Sequence, residues 1–172
     1  MQVLITGANG FVGKNLQLHL AERKDVEVSC FTRDHTQVDL ELLVADADVV
    51  FHLAGINRPQ DPAEFKRGNT DLTKALCDAL QKANHVVPVV YSSSIQAVTE
   101  NPYGESKRAA EDVLLDYEKD SGAPVYIYRL VNVFGKWARP NYNSAIATFC
   151  HNISQGLHIQ VNNPGAKINL VY

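Results

Sequence analysis

The chain has 172 residues, about the size of one domain, and 45% of them are hydrophobic while 20% are charged. This composition is typical of a globular protein and excludes disordered, collagen-like and low-complexity chains. With 16 Lys and Arg residues against 19 Asp and Glu residues, the net charge is −3 and the charges are scattered, which disfavours nucleic acid as a partner.

The apolar runs and the cysteines indicate the cellular compartment in which the protein is expected. No run approaches the roughly eighteen apolar residues of a membrane span, and residues 1–7 enter a strand-like run without a basic leader. We therefore expect a cytoplasmic protein with no membrane contact. Cys30, Cys77 and Cys150 are far apart and lack metal-ligand spacing, so we expect reduced thiols and no metal.

Short β-rich apolar runs alternate with longer amphipathic runs, a pattern that predicts βαβ units. The predicted strands are residues 3–6, 26–31, 49–53, 86–92 and 125–130. The predicted helices are residues 10–23, 39–45, 69–83, 102–117 and 144–154. Together they indicate an α/β fold, a Rossmann-like doubly wound parallel sheet with flanking helices.

The C-terminal residues 160–172 predict a strand, an Asn-Pro-Gly turn and a second strand over residues 167–172. This second strand stops mid-pattern. We therefore expect the chain to be truncated at its C-terminus.

The segment GANGFVG, residues 7–13, follows the first predicted strand and opens the first predicted helix. Glycines there allow a tight turn and close approach of the backbone to a pyrophosphate, while the helix N-terminus supplies N–H donors. The GxxGxxG spacing is one residue longer than the GxGxxG fingerprint, and a plain turn is the alternative interpretation. The position after an N-terminal strand favours a dinucleotide site. The residues expected to bind the cofactor here are Gly7, Asn9, Gly10, Phe11, Val12 and Gly13.

The end of the second predicted strand bears on which cofactor binds. About twenty residues beyond the glycines, Arg33 stands where an arginine would hold the 2′-phosphate of NADP(H). Its neighbour Asp34 could instead hold the ribose hydroxyls of NAD(H), and both residues could simply be solvated. We expect NADP(H), with NAD(H) as the alternative.

The third predicted strand ends in small residues. Leu53, Ala54 and Gly55 stand at its carboxyl end, where ligands bind to such sheets, and we expect them to contact the cofactor. His52 lies inside this apolar strand. We expect it to be packed and hydrogen-bonded rather than catalytic.

A serine triplet, residues 92–94, follows the fourth predicted strand, and Tyr103 and Lys107 then lie four residues apart on one face of a predicted helix. An ammonium near the phenol favours the phenolate, so the pair can act as a tuned acid and base. One of the serines can hydrogen-bond a substrate carbonyl and stabilise its developing negative charge. A Tyr-x-x-x-Lys pair also occurs by chance on helices, with Tyr half-buried and Lys solvated.

GANGFVG, HLAG, SSS followed by YGESK, and YRLVNVFG together resemble the extended short-chain dehydrogenase/reductase superfamily, the NAD-dependent epimerase and dehydratase family of nucleotide-sugar enzymes. The resemblance runs over essentially the whole chain and is nearest to the capsular-polysaccharide reductases. It implies an NADPH-dependent oxidoreductase that reduces the 4-keto group of a UDP-linked deoxy-aminosugar. A 4-epimerase or dehydratase of the same family and a non-catalytic NADP-binding domain are the alternatives.

The resemblance also implies the roles of individual residues. Ser94, Tyr103 and Lys107 would be catalytic, and the last two would also contact the cofactor. The residues implied to bind substrate are Ser94, Arg129, Asn132 and Asn143.

The residues themselves leave other roles open. Arg129 could equally form an ion pair, Asn132 a turn, and Asn143 a polar loop. The expected partner is a UDP-sugar, and the sequence leaves open whether the protein forms a homodimer. We expect residues 1–172 to be one NAD(P)-binding domain of a longer protein.

Overall fold

The computed structural model describes residues 1–83 and 85–172. Within these ranges the chain forms two compact units, Met1–Arg129 and Leu130–Tyr172. No helix in either range is both long and apolar enough to cross a bilayer.

Strands and helices alternate in the first unit, as the sequence predicts. The strands are β1 (Gln2–Thr6), β2 (Glu27–Phe31), β3 (Val49–His52), β4 (Val89–Ser94) and β5 (Val125–Leu130), the last ending just inside the second unit. The helices are α1 (Phe11–Ala21), α2 (Gln37–Ala45), α3 (Ala63–Phe65), α4 (Leu72–Lys82) and α5 (Pro102–Ser121). A π-helical segment, Lys66–Asp71, precedes α4, and a 3₁₀ turn, Ile95–Val98, follows β4.

The five strands form one sheet in the order β2-β1-β3-β4-β5. β1 pairs in parallel with β2 and β3, and β3 pairs in parallel with β4. Thr6 lies beside both Phe31 and His52, so the segments that follow β1, β2 and β3 share one edge of the sheet. The connections diverge between β1 and β3, which is where doubly wound sheets bind ligands.

Side chains on both faces of β1 are buried. Leu4 belongs to a core cluster with residues of α2, α4 and α5, whereas Val3 and Ile5 pack with residues of α1. Successive side chains of a strand point to opposite faces, so helices cover both faces of the sheet at β1. The predicted doubly wound α/β fold is confirmed.

Helical structure begins earlier than predicted before α4. The predicted helix begins at residue 69, but α3 and the π-helical segment already occupy residues 63–68. The side chain of Asn69 in this segment bonds to both the N–H and the carbonyl of Ile56. Such long-range contacts override local turn preferences.

The second unit contains β6 (Asn132–Val133), α6 (Ala145–Ser154) and β7 (Leu170–Val171). The predicted hairpin over residues 160–172 is wrong, because β7 pairs in parallel with β6 and residues 160–166 form no strand. Asn163 instead closes a local turn by accepting the N–H groups of Gly165 and Ala166. Of residues 130–172, all of them described, Ser144 alone is buried.

Candidate active site

Two glycines of the segment GANGFVG, one in the loop after β1 and one in the first turn of α1, leave no room for a side chain. Gly7 has a φ of +73°, and a Cβ there would lie 2.6 Å from Ala54 N and 2.8 Å from Leu53 C. A Cβ on Gly13 would meet Gly7 O and would lie 2.8 Å from Ala8 Cα. The loop therefore packs directly against the end of β3 and against α1, the close approach for which glycine is suited.

The start of α1 is open to solvent. Gly10 and Asn9 are exposed, and a Cβ on Gly10 would meet only Gly7 O, at 3.1 Å. The first N–H groups of a helix, here those of Phe11, Val12 and Gly13, have no acceptor within the helix and carry its positive dipole. Open space beside free N–H donors fits the pyrophosphate of a dinucleotide.

The residues after β3 and β2 lie at the same edge of the sheet. The N–H groups of Leu53 and Ala54 bond to the carbonyl and the hydroxyl of Thr6, at 3.1 and 3.2 Å. Arg33 and Asp34 are both exposed in the turn after β2. This position suits a contact with the adenosine ribose, and the choice between the two residues stays a prediction.

The first turn of α5 holds Tyr103 against the end of β4. Asn101 caps the helix by accepting the Gly104 N–H at 2.8 Å, and Pro102 occupies the first helical position, where its missing N–H costs nothing. A Cβ on Gly104 would meet Gln96 O and would lie 2.6 Å from Thr99 O. A glycine next to Tyr103 thus lets α5 approach the 3₁₀ turn that follows Ser94.

The Ser94 hydroxyl lies beside the Tyr103 phenol, near enough to influence its pKa. The Ser94 hydroxyl also accepts the Gln96 N–H at 3.2 Å, and the half-buried Tyr103 ring packs on Phe65 with 5.8 Å between ring centroids. Burial raises the pKa of Tyr103, and the neighbouring Ser94 hydroxyl opposes this. The phenol is therefore protonated at neutral pH, as a proton donor must be.

Lys107 is buried one helical turn beyond Tyr103. Its Nζ donates to Tyr91 Oη at 3.2 Å and to Ser92 O at 3.0 Å, and a Cβ on Gly55 would lie 3.1 Å from it. Burial lowers the pKa of Lys107 to about 8, against the opposing charge of Glu111. Nζ bonds to β4 and burial keeps the pKa of Tyr103 raised, so a lowering of this pKa by Lys107 stays a prediction.

Asn69 and Ser106 are buried polar residues that the sequence interpretation missed. Asn69 Nδ2 donates to Ser106 Oγ at 2.9 Å, and Ser106 Oγ donates to Tyr103 O at 2.7 Å. These bonds link the π-helical segment to the first turn of α5. The one available signal was that Asn69 is in register with the apolar stripe through Leu72 and Leu76, where a polar residue needs a partner.

Glu111 on α5 and Arg129 on β5 form a second polar contact. Arg129 donates from Nε and Nη2 to the Glu111 carboxylate, with a shortest distance of 2.6 Å, and Ser93 Oγ donates to Glu111 Oε1. Burial acts to raise the pKa of Glu111, but the bonds from Arg129 and Ser93 outweigh it and the pKa is lowered. Arg129 thus forms the ion pair that was its alternative role, and its contact with substrate stays a prediction.

His52 is packed and hydrogen-bonded, as expected. Thr73 Oγ1 donates to Asn69 O at 2.8 Å, so it must accept from His52 Nε2, which lies 2.8 Å away. His52 Nδ1 then accepts from Thr6 Oγ1 at 2.7 Å. Burial lowers the pKa of His52 to about 3, so the ring is neutral with its proton on Nε2.

The remaining predicted substrate residues, Asn132 and Asn143, belong to the second unit. Asn132 Nδ2 donates to Asn169 O at 3.2 Å, and Asn143 is exposed in the turn before α6. Their contact with substrate stays a prediction. Within residues 1–83 and 85–172, no group of three or more His, Cys, Asp or Glu side chains could hold a metal ion.

The family model of the NAD dependent epimerase/dehydratase family matches residues 3–168. The chain belongs to this family. The resemblance in the glycine-rich segment and the Ser-Tyr-Lys motifs is thereby confirmed at the level of the family.

Individual members of the epimerase/dehydratase family resemble the chain along its whole length. It is 58% identical over 172 residues to UDP-2-acetamido-2,6-beta-L-arabino-hexul-4-ose reductase of Pseudomonas aeruginosa, covering 46% of that protein. The crystal structure of the capsular polysaccharide assembling protein CapF from Staphylococcus aureus matches the whole chain with a TM-score of 0.88 and 44% identity, over 47% of CapF. The chain thus spans about half the length of these relatives.

A more distant structure shares the fold. UDP-glucuronic acid 4-epimerase from Bacillus cereus, in complex with UDP-glucuronic acid and NAD, matches with a TM-score of 0.85 at 21% identity and over 69% of its chain. At this identity the likeness shows the fold alone. NAD(P) is the cofactor type of the epimerase/dehydratase family, and the choice between its two forms remains open.

Proposed function

We propose that this chain carries the cofactor site and the proton-transfer site of an NADPH-dependent reductase acting on the 4-keto group of a UDP-linked deoxy-aminosugar, in surface polysaccharide synthesis. The observation that carries the proposal is that the Ser94 hydroxyl and the Tyr103 phenol lie beside each other at the carboxyl end of β4. Because β4 is parallel to β3, this pair lies at the sheet edge that also holds the glycine-rich loop. The similarity to a 4-keto reductase favours reduction over epimerisation or dehydration.

The residues at this edge suit NADPH by their donors and their free space. The N–H groups at the start of α1 would hold the pyrophosphate, Arg33 would hold the 2′-phosphate, and Leu53, Ala54 and Gly55 would line the path toward Lys107. When bound, the cofactor supplies the hydride that reduces the sugar carbonyl. The protein would work in the cytoplasm, where NADPH and nucleotide sugars are available.

Three side chains of this protein do the remaining chemistry. Ser94 donates a hydrogen bond to the carbonyl oxygen and stabilises the negative charge that grows on it. Tyr103 transfers its phenolic proton to that oxygen, so the C=O group becomes an alcohol and the phenol becomes a phenolate. Lys107 holds the cofactor ribose and stabilises the phenolate by its positive charge, until a proton from water restores the phenol.

The test is steady-state turnover with NADPH and a UDP-linked 4-keto deoxy-aminosugar. We expect one NADPH consumed for each alcohol formed. A sugar product without net NADPH consumption would identify an epimerase or dehydratase. NADPH binding by calorimetry without any turnover would identify a non-catalytic cofactor-binding protein.

A further inference from the structure

The hydroxyl of Tyr91 contacts the ammonium of Lys107 in the interior of the site. Tyr91 is fully buried in β4, its ring centroid is 4.7 Å from Lys107 Nζ, and its Oη accepts a hydrogen bond from that atom at 3.2 Å. The ring face and the hydroxyl oxygen both attract a cation. Tyr91 therefore touches the ammonium in two ways, although it belongs to none of the predicted catalytic or binding residues.

The position of Tyr91 is fixed from the side opposite to Lys107. Its ring stacks on the imidazole of His52, with 5.3 Å between centroids and 21° between planes. His52 is itself held at both ring nitrogens by Thr6 and Thr73. The ring of Tyr91 thus stacks on an imidazole that is held in place and that does not change its charge in the physiological pH range.

The hydrogen bonds of Lys107 determine which way its remaining donor faces. An ammonium has three N–H donors, and two of them go to Tyr91 Oη and Ser92 O. Gly55 packs close to the same atom, because a Cβ there would lie 3.1 Å from Nζ and 2.9 Å from Asn69 Oδ1. We propose that Tyr91 is a positioning residue for Lys107: its hydroxyl oxygen takes one ammonium hydrogen, and the third ammonium hydrogen is left for a ligand. The ligand contact rests on the proposed function, in which that ligand is the ribose of the nicotinamide cofactor.

Other groups that face Lys107 do not replace this acceptor. Glu111 on α5 favours the charged ammonium, but its carboxylate is engaged by Arg129 and Ser93. Tyr103 on α5 lies beside Ser94 and is neutral because its pKa is raised, and His52 on β3 is also neutral. Burial raises the pKa of Tyr91, so its phenol is also neutral and can accept from the ammonium.

The experiment removes the one oxygen and follows Lys107 directly. Tyr91→Phe keeps the ring, its stacking on His52 and its face toward Nζ. The side-chain ¹³Cε signal of Lys107, assigned through its loss in Lys107→Met, reports the titration of the ammonium without cofactor. We expect a midpoint about one pH unit lower in Tyr91→Phe, the size expected for one hydrogen bond to a charged group. We also expect NADPH affinity to fall about tenfold, with a decline that begins at correspondingly lower pH.

Tyr117→Phe is the matched control, because Tyr117 is also buried and its hydroxyl is also hydrogen-bonded, donating to Val87 O at 3.0 Å. The control should leave the Lys107 midpoint and NADPH affinity unchanged. If Tyr91→Phe behaves like the control in either measurement, Tyr91 does not position the ammonium. If Lys107→Met binds NADPH as tightly as the wild type, the proposed role of Lys107 fails instead, whatever the Tyr91 variant does.

Discussion

The cofactor half and the proton-transfer half of the candidate site are built in opposite ways. Around Gly7 and Gly13, the site consists of backbone groups that are packed so closely that an added side chain would clash. Around Lys107 and Glu111, it consists of buried polar side chains, each held by partners on another element. The cofactor half depends on glycines, which have no side chain. The proton-transfer half depends on contacts between residues that are far apart in the chain.

This difference predicts different kinds of damage. A substitution of a glycine in the cofactor half acts by steric conflict and should weaken binding. A substitution of Tyr103 in the proton-transfer half removes one functional group and should slow turnover while the cofactor still binds. Four variants test this contrast, beginning with the largest expected effect.

Tyr103→Phe should reduce turnover by about 10²–10⁴-fold and leave NADPH affinity nearly unchanged, because it removes only the proton donor. Single-turnover reduction of a UDP-linked 4-keto sugar at saturating NADPH measures the chemical step. Tyr126→Phe, at an exposed position on β5, is the control and should match the wild type. Equal rates for Tyr103→Phe and the wild type would make Tyr103 an ordinary helix residue.

Gly7→Ala should weaken NADPH binding by about 10- to 100-fold, because relief of its conflict with Ala54 costs about 1–3 kcal/mol of repacking. Gly122→Ala is the matched control. Gly122 has nearly the same backbone angle, a φ of +71°, but no atom within 4 Å of an added Cβ. The control should lose about 1 kcal/mol of stability and no affinity. Calorimetry and thermal unfolding of both variants separate the effect of the steric conflict from the effect of the positive φ. Equal losses of affinity in the two variants would mean that the Gly7 contact is not part of the cofactor site.

Arg33→Ala should weaken NADPH binding by about ten- to a hundred-fold, the size of a lost charge-assisted contact to phosphate, and leave NADH binding unchanged. NADH is thus the internal control, because it lacks the 2′-phosphate. The measurement is the ratio of the two dissociation constants in both proteins. A ratio near one in the wild type would assign the position to Asp34 and NAD(H).

Arg129→Met should have the smallest effect on turnover and should lower the midpoint of thermal unfolding. It would leave the buried Glu111 carboxylate without its bidentate partner, and a buried unpaired charge is costly. The midpoint deficit should shrink at lower pH, because Glu111 loses the interaction that lowers its pKa and protonates more readily. A raised KM with an unchanged midpoint would instead place Arg129 in the substrate site.

The tertiary structure decided features that local patterns misjudged. Helical turns precede the predicted start of the helix at residue 69, and the parallel pairing of β6 with β7 replaces the predicted hairpin. In both places, contacts between residues far apart in the chain compete with local turn preferences. Asn69 shows the reason, since its bonds to Ile56 and Ser106 join segments 13 and 37 residues away.

The sequence by itself determined the doubly wound fold, the glycine-rich loop and the identity of the Ser94, Tyr103 and Lys107 motif. These are encoded in apolar periodicity and in motifs of a few consecutive residues, which a linear pattern contains in full. Only the tertiary structure decided that Lys107 bonds to Tyr91 and Ser92, that Arg129 pairs with Glu111, and that burial raises the pKa of Tyr103. Partner choice and burial depend on which elements meet in space, so helical spacing placed Tyr103 and Lys107 on one face but could not show what that face contacts.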